Sequence, residues 1–358
     1  MLAVPMEDIV RVHASSGTTG KPTVVFHTAA DIDSWTNLVV RALVMTGVTK
    51  GDVFQNMMSY GLFTGGLGLH YGAERLGVTV IPSGPGNTRK QVQFIQDFGT
   101  TVVHMTPSYA LHVADEIVAM DIEPSSLTLK TAFFGAEPHS EATRQKLEGI
   151  YGLNAYNSYG LSEMNGPGVA FECVHKGGMH LWEDAYLMEV VDPDTGEPLP
   201  DGKEGELVLT TLRRRGMPIL RYRTKDLTRI LPGDCPCGRT HRRIARITGR
   251  TDDMLIINGV NVFPSQVEHV LMTVPEVGNN YQIVVDKEGH LDRLAVKVEI
   301  YPKLFHGDLR ELRELRDRLE SALRSEILVR VKVELLEPGT LPPSTGKAVR
   351  VLDNRKEA

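Results

Sequence analysis

The chain has 358 residues, a formal charge of −6, 41% hydrophobic and 23% charged residues, which is enough for a large domain and a smaller one, each with its own core. An acidic balance without a basic face argues against nucleic acid as a partner, and no apolar run approaches the roughly 20 residues of a membrane span. Three cysteines are too few for a disulfide framework, and the acidic Met1–Asp8 lacks a signal-peptide core, so a reducing cytoplasm is the expected compartment.

In chain order, Ile9-Val10-Arg11-Val12 reads as a strand that feeds Ser15-Ser16-Gly17-Thr18-Thr19-Gly20-Lys21-Pro22. Gly17 and Gly20 let the backbone bend close to an anion, and the hydroxyl pairs and Lys21 offer donors to phosphate oxygens. A Walker A loop needs an earlier glycine and a hydroxyl after the lysine; Ser15, Ser16 and Pro22 stand there instead. Tyr60, Phe63 and the glycine-rich Gly65-Gly66-Leu67-Gly68 suggest an aromatic-lined pocket with room for a flat ring, and Met57 to Leu69 holds no lysine or arginine to receive a second carboxylate.

Thr79 to Pro82, Thr101 to Met105 and Thr131 to Gly135 read as buried strands, separated by amphipathic helical stretches at Arg89 to Phe98 and Ser108 to Met120. That alternation predicts an α/β fold with parallel sheet and crossover helices. Ala155-Tyr156-Asn157-Ser158 is strand-like and runs into Tyr159-Gly160-Leu161-Ser162-Glu163. From Tyr186 the texture turns to strands, with Leu187 to Val191, a turn at Pro193 to Gly196, and Gly205 to Thr210. A polar junction at Gly249 to Asp253 then separates residues 1–250 from a unit of 251–358. The second unit reads strand (Met254 to Ile257), helix (Pro264 to Thr273), strands (Tyr281 to Val285, Leu294 to Ile300), helix (Leu309 to Ser325) and strand (Val329 to Leu336).

Every cysteine falls in two loops: Cys173 precedes His175 and His180, and Cys235-Pro236-Cys237-Gly238 is a two-thiolate turn. Cys173, His180, Cys235 and Cys237 would complete a tetrahedral structural zinc site, with His175 and His241 as alternative fourth ligands. Free thiols in ordinary turns are the competing reading.

Arg221-Tyr222-Arg223-Thr224-Lys225-Asp226 and Pro342-Pro343-Ser344-Thr345-Gly346-Lys347 add two further signatures. Taken in order with the loop at 15–22, the Tyr159–Glu163 motif and the junction, they resemble the adenylate-forming superfamily of acyl-CoA synthetases. Tyr60 to Gly66, Phe134-Gly135-Ala136-Glu137-Pro138 and Gly259-Val260-Asn261-Val262-Phe263-Pro264 resemble its branch acting on arylacetic acids. The resemblance covers essentially the whole chain. It implies a large adenylation domain with mixed and parallel sheets plus a β-rich subdomain, followed by a small mobile α+β domain. Such proteins usually carry a longer segment before the phosphate loop, so the expectation is a large domain without it.

The implied chemistry joins an aryl carboxylic acid such as phenylacetate to ATP, giving an acyl-adenylate and pyrophosphate, after which the thiol of CoA displaces AMP. The resemblance implies phosphate contacts from Ser15, Ser16, Gly17, Thr18, Thr19, Gly20 and Lys21. Gly135, Ala136, Glu137, Asn157, Ser158, Tyr159, Gly160, Ser162, Asp226 and Arg250 would contact the nucleotide, and Tyr60, Phe63 and Gly65 the acyl group. Glu163 would hold Mg²⁺, a hard cation suited to carboxylate and phosphate oxygens. Lys347 would reach the reacting carboxylate and α-phosphate, with Asp252 as the hinge. A homodimer is also implied. Another aryl or indole acid, or an ATP- or adenylate-binding protein without turnover, are the alternatives.

Overall fold

The computed structural model describes residues 2–15, 23–289, 291–304, 309–342 and 348–356. Ser16, Gly17, Thr18, Thr19, Gly20, Lys21 and Lys347 therefore lie outside the described residues. The two units are organised around different sheets.

The larger unit is built on a nine-stranded mixed sheet. Thr79–Ile81, Val53–Asn56, Val102–Met105, Thr131–Gly135 and Asn154–Leu161 run parallel, and Gly166–Glu172, Met179–Leu181, Arg243–Ile244 and Ile230–Leu231 continue it antiparallel. Val102–Met105 and Thr131–Gly135 are buried at every position, as expected of strands covered on both faces. Thr79–Ile81 is different. It sits at the sheet edge, and none of its three residues is fully buried. An apolar run of that length fits an edge as well as a centre.

Helices Ala29–Met45, Gly65–Leu76, Thr88–Asp97, Pro107–Ala119 and Glu141–Tyr151 cover this sheet. The glycine-rich stretch is thus helical, against its local propensity. A Cβ at Gly72 would meet Val39 Cγ1 at 2.2 Å, and one at Gly68 would meet Trp35 Cζ2 at 2.6 Å. The glycines let this helix press against Ala29–Met45, a close approach that outweighs the roughly 1 kcal/mol each costs in a helix interior.

A four-stranded antiparallel sheet follows, made of Tyr186–Val191, Gly205–Thr211, Tyr222–Thr228 and Gly249–Arg250. Ile9–Ala14 pairs with Val24–Thr28 as an antiparallel hairpin, so the anticipated phosphate loop joins its two strands. The smaller unit carries the four-stranded sheet Val331–Leu336, Leu291–Ile300, Val277–Glu288 and Val351–Asp353. Helices Pro264–Met272 and Leu309–Ile327 pack with it, the latter burying Leu315, Leu319, Leu323 and Ile327 at helical spacing. Apolar residues of both units join in one cluster, which runs from Met57 and Leu147 to Leu271 and Val333.

Candidate active site

The hairpin brings the first site elements together. Ser15 N–H donates to Thr23 O at 2.9 Å, and Thr23 N–H donates to Ser15 Oγ at 2.9 Å, so the two ends of the loop are clamped. Ala14 N–H donates to Leu62 O at 2.9 Å, and His13 Nδ1 lies 3.0 Å from the same oxygen. The base of the phosphate loop is thereby tied to the segment that carries Tyr60 and Phe63. A Cβ on Gly65 would meet Phe63 Cε1 at 2.6 Å, which places the Phe63 ring over the helix start. The Tyr60 hydroxyl accepts from Asn56 Nδ2 at 2.9 Å and lies 3.1 Å from His70 Nδ1. Burial pushes that phenol up to about 12. Tyr60, Phe63 and Gly65 do converge, and they carry Asn56 and His70 with them.

The strand ends supply the second group. Gly135 and Ser158 are cross-strand neighbours, and a Cβ at Gly135 would meet Ser158 Oγ at 2.4 Å. Ser158 Oγ donates to Phe134 O at 3.2 Å. Ala136 takes a left-handed φ of 68°, turning the chain away from the strand. Glu137 Oε1 accepts from Ser108 N–H at 2.6 Å, and its Oε2 accepts from Ala348 N–H at 3.2 Å. The nearest described neighbour of Lys347 is thus fixed at the edge of the Gly135–Glu137 segment. Asn157 N–H donates to Glu172 Oε2 at 2.8 Å. At Gly160 a Cβ would overlap Gly166 O, so only glycine fits between these antiparallel strands.

Tyr159, Asp226, Arg250 and Asp252 form one connected chain. The buried Tyr159 hydroxyl donates to Asp226 Oδ2 at 2.6 Å, and Arg250 Nη1 lies 3.2 Å from Asp226 Oδ1. Arg250 then grips Asp252 through two parallel bonds, Nε to Oδ1 at 2.8 Å and Nη2 to Oδ2 at 2.9 Å. Burial, then the negative Asp226, raise the Tyr159 phenol well above its ordinary value. Burial opposes ionisation of Asp252, but the Arg250 pairing wins and holds its carboxyl below the usual range. Arg250 comes from the last strand of the antiparallel sheet and Asp226 from the neighbouring strand, so they meet by strand register.

Glu163 sits in the 3₁₀ turn Ser162–Met164 directly after its strand. Ser162 Oγ lies 3.4 Å from Thr64 Oγ1, which joins this turn to the start of the Gly65–Leu76 helix. The Glu163 carbonyl accepts from Arg214 Nη1. Burial, followed by the charge of Glu163, pushes the Tyr222 phenol up to about 12. A half-buried carboxylate on a tight turn suits a hard divalent cation that also takes phosphate oxygens and water. Arg214, Tyr222 and Thr64 were missed as site residues. Arg213-Arg214-Arg215 reads as a solvated charge run, yet Arg214 is buried, with Nε and Nη2 unpaired among the described residues.

The cysteine ligands come together at the far end of the mixed sheet. Ligand atoms of Cys173, His180, Cys235 and Cys237 all lie within 4.8 Å of one another. Cys173 Sγ is 3.6 Å from Cys235 Sγ, and Cys237 Sγ is 3.3 Å from His180 Nε2. His180 Nδ1 lies 3.1 Å from the His241 carbonyl, which directs Nε2 at the sulfurs. His241 enters through its backbone here, and its ring takes the Glu183 N–H at 3.3 Å. Burial raises the Cys173 thiol to about 11, whereas hydrogen bonds from Arg239 outweigh burial at Cys237 and lower it to about 7.

Comparison with known proteins adds the following. The AMP-binding enzyme family matches residues 2–212, and the AMP-binding enzyme C-terminal domain matches residues 259–355. A phenylacetate-coenzyme A ligase of Aromatoleum evansii is 52% identical over 99% of this chain and 81% of its own length. A 2-hydroxyisobutyryl-CoA ligase solved in the postadenylation state, with R3-HIB-AMP, is 30% identical with a TM-score of 0.93, covering 99% of this chain and 76% of that one. The same ligase in its thioesterification state, with 2-HIB-AMP and CoA, is 31% identical and reaches a TM-score of only 0.68 over 98% of this chain and 75% of that one. The two units of this chain stand to one another as in the former state.

Proposed function

The chain belongs to the AMP-binding enzymes and is an AMP-forming acid–CoA ligase, and we propose that phenylacetate is the acid it activates. The observation that carries the reading is the 52% identity, over 99% of the chain, to a phenylacetate-coenzyme A ligase; the hydrogen bond from Ala348 N–H to Glu137 supports the adenylation chemistry by tying the segment after Lys347 to the end of strand Thr131–Gly135. In the first half-reaction the carboxylate attacks the α-phosphate, and two anions must be brought together. Positioning and positive charge do that work, and no covalent nucleophile is needed.

In this proposal the loop from Ser15 to Lys21 holds the β- and γ-phosphates, and Lys347 bridges the attacking carboxylate and the α-phosphate. Asp226 accepts from the ribose hydroxyls. Tyr159 donates to one oxygen of the Asp226 carboxylate, and Arg250 pairs with the other. The segment Gly135–Glu137 with Asn157, Ser158, Gly160 and Ser162 walls the base. Tyr60, Phe63 and Gly65 line the acyl pocket, and the lack of lysine or arginine there suits a monocarboxylate with a flat ring. Glu163 holds Mg²⁺, which neutralises phosphate charge. Residues 251–358 move about Asp252 between the half-reactions.

Cys173, His180, Cys235 and Cys237 hold a structural zinc ion: the donor set, three sulfurs and one imidazole nitrogen, is that of a closed tetrahedral site. Fewer than one zinc per purified chain removes it. Cytoplasmic residence and a homodimer complete the proposal; free cysteines favour the former, and sedimentation tests the latter.

Pyrophosphate release with a panel of phenylacetate, indoleacetate, benzoate and aliphatic acids tests the substrate. Phenylacetate is expected to give the highest kcat/KM, with AMP as the nucleotide product. ADP and an acyl phosphate would overturn the chemistry. Lys347→Ala is expected to lose adenylate formation by at least roughly a thousandfold while leaving transfer from preformed phenylacetyl-adenylate to CoA largely intact. Equal loss in both would refute the role of Lys347.

A further inference from the structure

Two carboxylates cross the boundary between the units in opposite directions. Glu268 stands on helix Pro264–Met272 of the smaller unit, and its Oε1 accepts from Ser140 N–H at 3.1 Å and from Thr143 Oγ1 at 2.5 Å. Ser140 caps helix Glu141–Tyr151 of the larger unit, so Glu268 completes the cap of a helix to which it does not belong. Glu137 does the reverse. It stands on the larger unit, caps helix Pro107–Ala119 through Ser108 N–H, and receives Ala348 N–H from the smaller unit.

The flanking contacts differ in kind. Lys146 Nζ donates to Val277 O at 3.1 Å and lies 5.4 Å from the Tyr301 ring centre, and Asn279 Nδ2 donates to Asp115 Oδ1 at 2.7 Å. These bonds tie the rim. The two glutamates accept backbone N–H groups from the opposite unit, and one of those groups belongs to the residue directly after Lys347.

We propose that Glu137 and Glu268 form a reciprocal latch that holds the smaller unit in the adenylate-forming pose and thereby positions Lys347. The latch rests on the proposed function and adds to it a device for dividing time between the two half-reactions. Rotation of the smaller unit must break both carboxylate contacts at once, returning the N-terminus of helix Glu141–Tyr151 and the Ala348 N–H to water. Each contact is a hydrogen bond to a carboxyl oxygen, and breaking it leaves backbone N–H groups without that partner. Burial raises the Glu268 carboxyl in the docked pose, and the bonds from Thr143 and Ser140 offset only part of that shift. Glu268 is a positioning residue, since it touches the helix cap and not the reactants.

The test measures the half-reactions separately in the full chain. Glu268→Ala is expected to slow pyrophosphate release in the absence of CoA about tenfold, with thioester formation from added phenylacetyl-adenylate and CoA within twofold of wild type. Thr143→Val is expected to slow the first half-reaction in the same sense by about threefold. The double variant should be no slower than Glu268→Ala alone, because both changes cut one contact. Equal losses in both half-reactions, unchanged adenylation in a folded variant, or additive effects in the double variant would each overturn the latch. Should Glu268→Ala fail to fold, Thr143→Val decides alone: slowed adenylation with intact transfer supports the latch, and any other pattern overturns it. A wild-type chain that releases no pyrophosphate with any acid in the panel refutes the proposed ligase function itself, a result distinct from every variant outcome above.

Discussion

The Asp226 corner and the cysteine corner lie on one scaffold, yet they are held together in opposite ways. At Asp226 the charges answer one another within the protein: Tyr159 and Arg250 meet the carboxylate, and Asp252 meets Arg250 with two bonds. At the cysteines, four donor atoms crowd within 4.8 Å, and three of them are sulfurs that repel one another once ionised. The first corner is complete as a network and can serve as a rigid acceptor for a neutral diol. On the zinc proposal, the second gains its full stability from a cation. Rigid acceptors make catalysis precise, whereas metal clips make loops permanent.

The largest effect that would break this contrast is at Asp226. Asp226→Ala removes a buried carboxylate and leaves Tyr159 and part of Arg250 without their partner. Losing one side of a buried pair costs about 3–5 kcal/mol, eased here because Arg250 keeps Asp252. Adenylation is expected to fall roughly a hundredfold, about 2.7 kcal/mol in barrier terms, with the zinc content unchanged. A loss of zinc in parallel would mean that the corners are coupled.

Cys235→Ser comes second. It removes a buried ligand, and with zinc at several hundred times its dissociation constant the stabilisation forfeited is about 3–4 kcal/mol. The expected result is Tm lower by roughly 5 °C, zinc below stoichiometric, and adenylation in the remaining folded protein within threefold of wild type. Wild-type Tm with wild-type zinc would show that Cys235 is no ligand.

Much of this contrast was legible in the sequence because of the residue types involved. Cysteines are rare in this chain, so their gathering in two loops was informative before any fold was known. Thr131–Gly135 and Val102–Met105 were readable as buried runs with turn signals at their ends. Helix Gly65–Leu76 was not, because Gly65, Gly66, Gly68 and Gly72 argue locally for a loop, and the reason for Gly68 and Gly72, contact with Trp35 and Val39, lies in another helix. Glu268 was equally opaque. Its partner Ser140 stands 128 residues earlier, and no spacing rule joins a glutamate in one unit to a helix cap in the other. Arg214 disappeared into a triplet of arginines, of which the fold buries one.

Acidification gives the smallest effect and sharpens the comparison most. Asp252 titrates lower in the folded chain than in the unfolded one, so its contribution is complete above the unfolded value near 4 and is lost only as pH falls through the lower folded value. Between pH 7 and 5.5 this carboxylate pairing should hold. Over the same interval zinc must compete with protons for three thiolates and an imidazole, and its affinity falls. The Tm difference between wild type and Cys235→Ser should therefore shrink by about half as pH drops, while KM for ATP changes less than twofold. Subtracting the variant removes the background slope of buried neutral histidines such as His104, held down to about 3 by burial, because both proteins share it. A Tm difference that stays constant over this range would assign the stabilisation to thiol packing alone. The two corners would then differ in composition but not in how they are held.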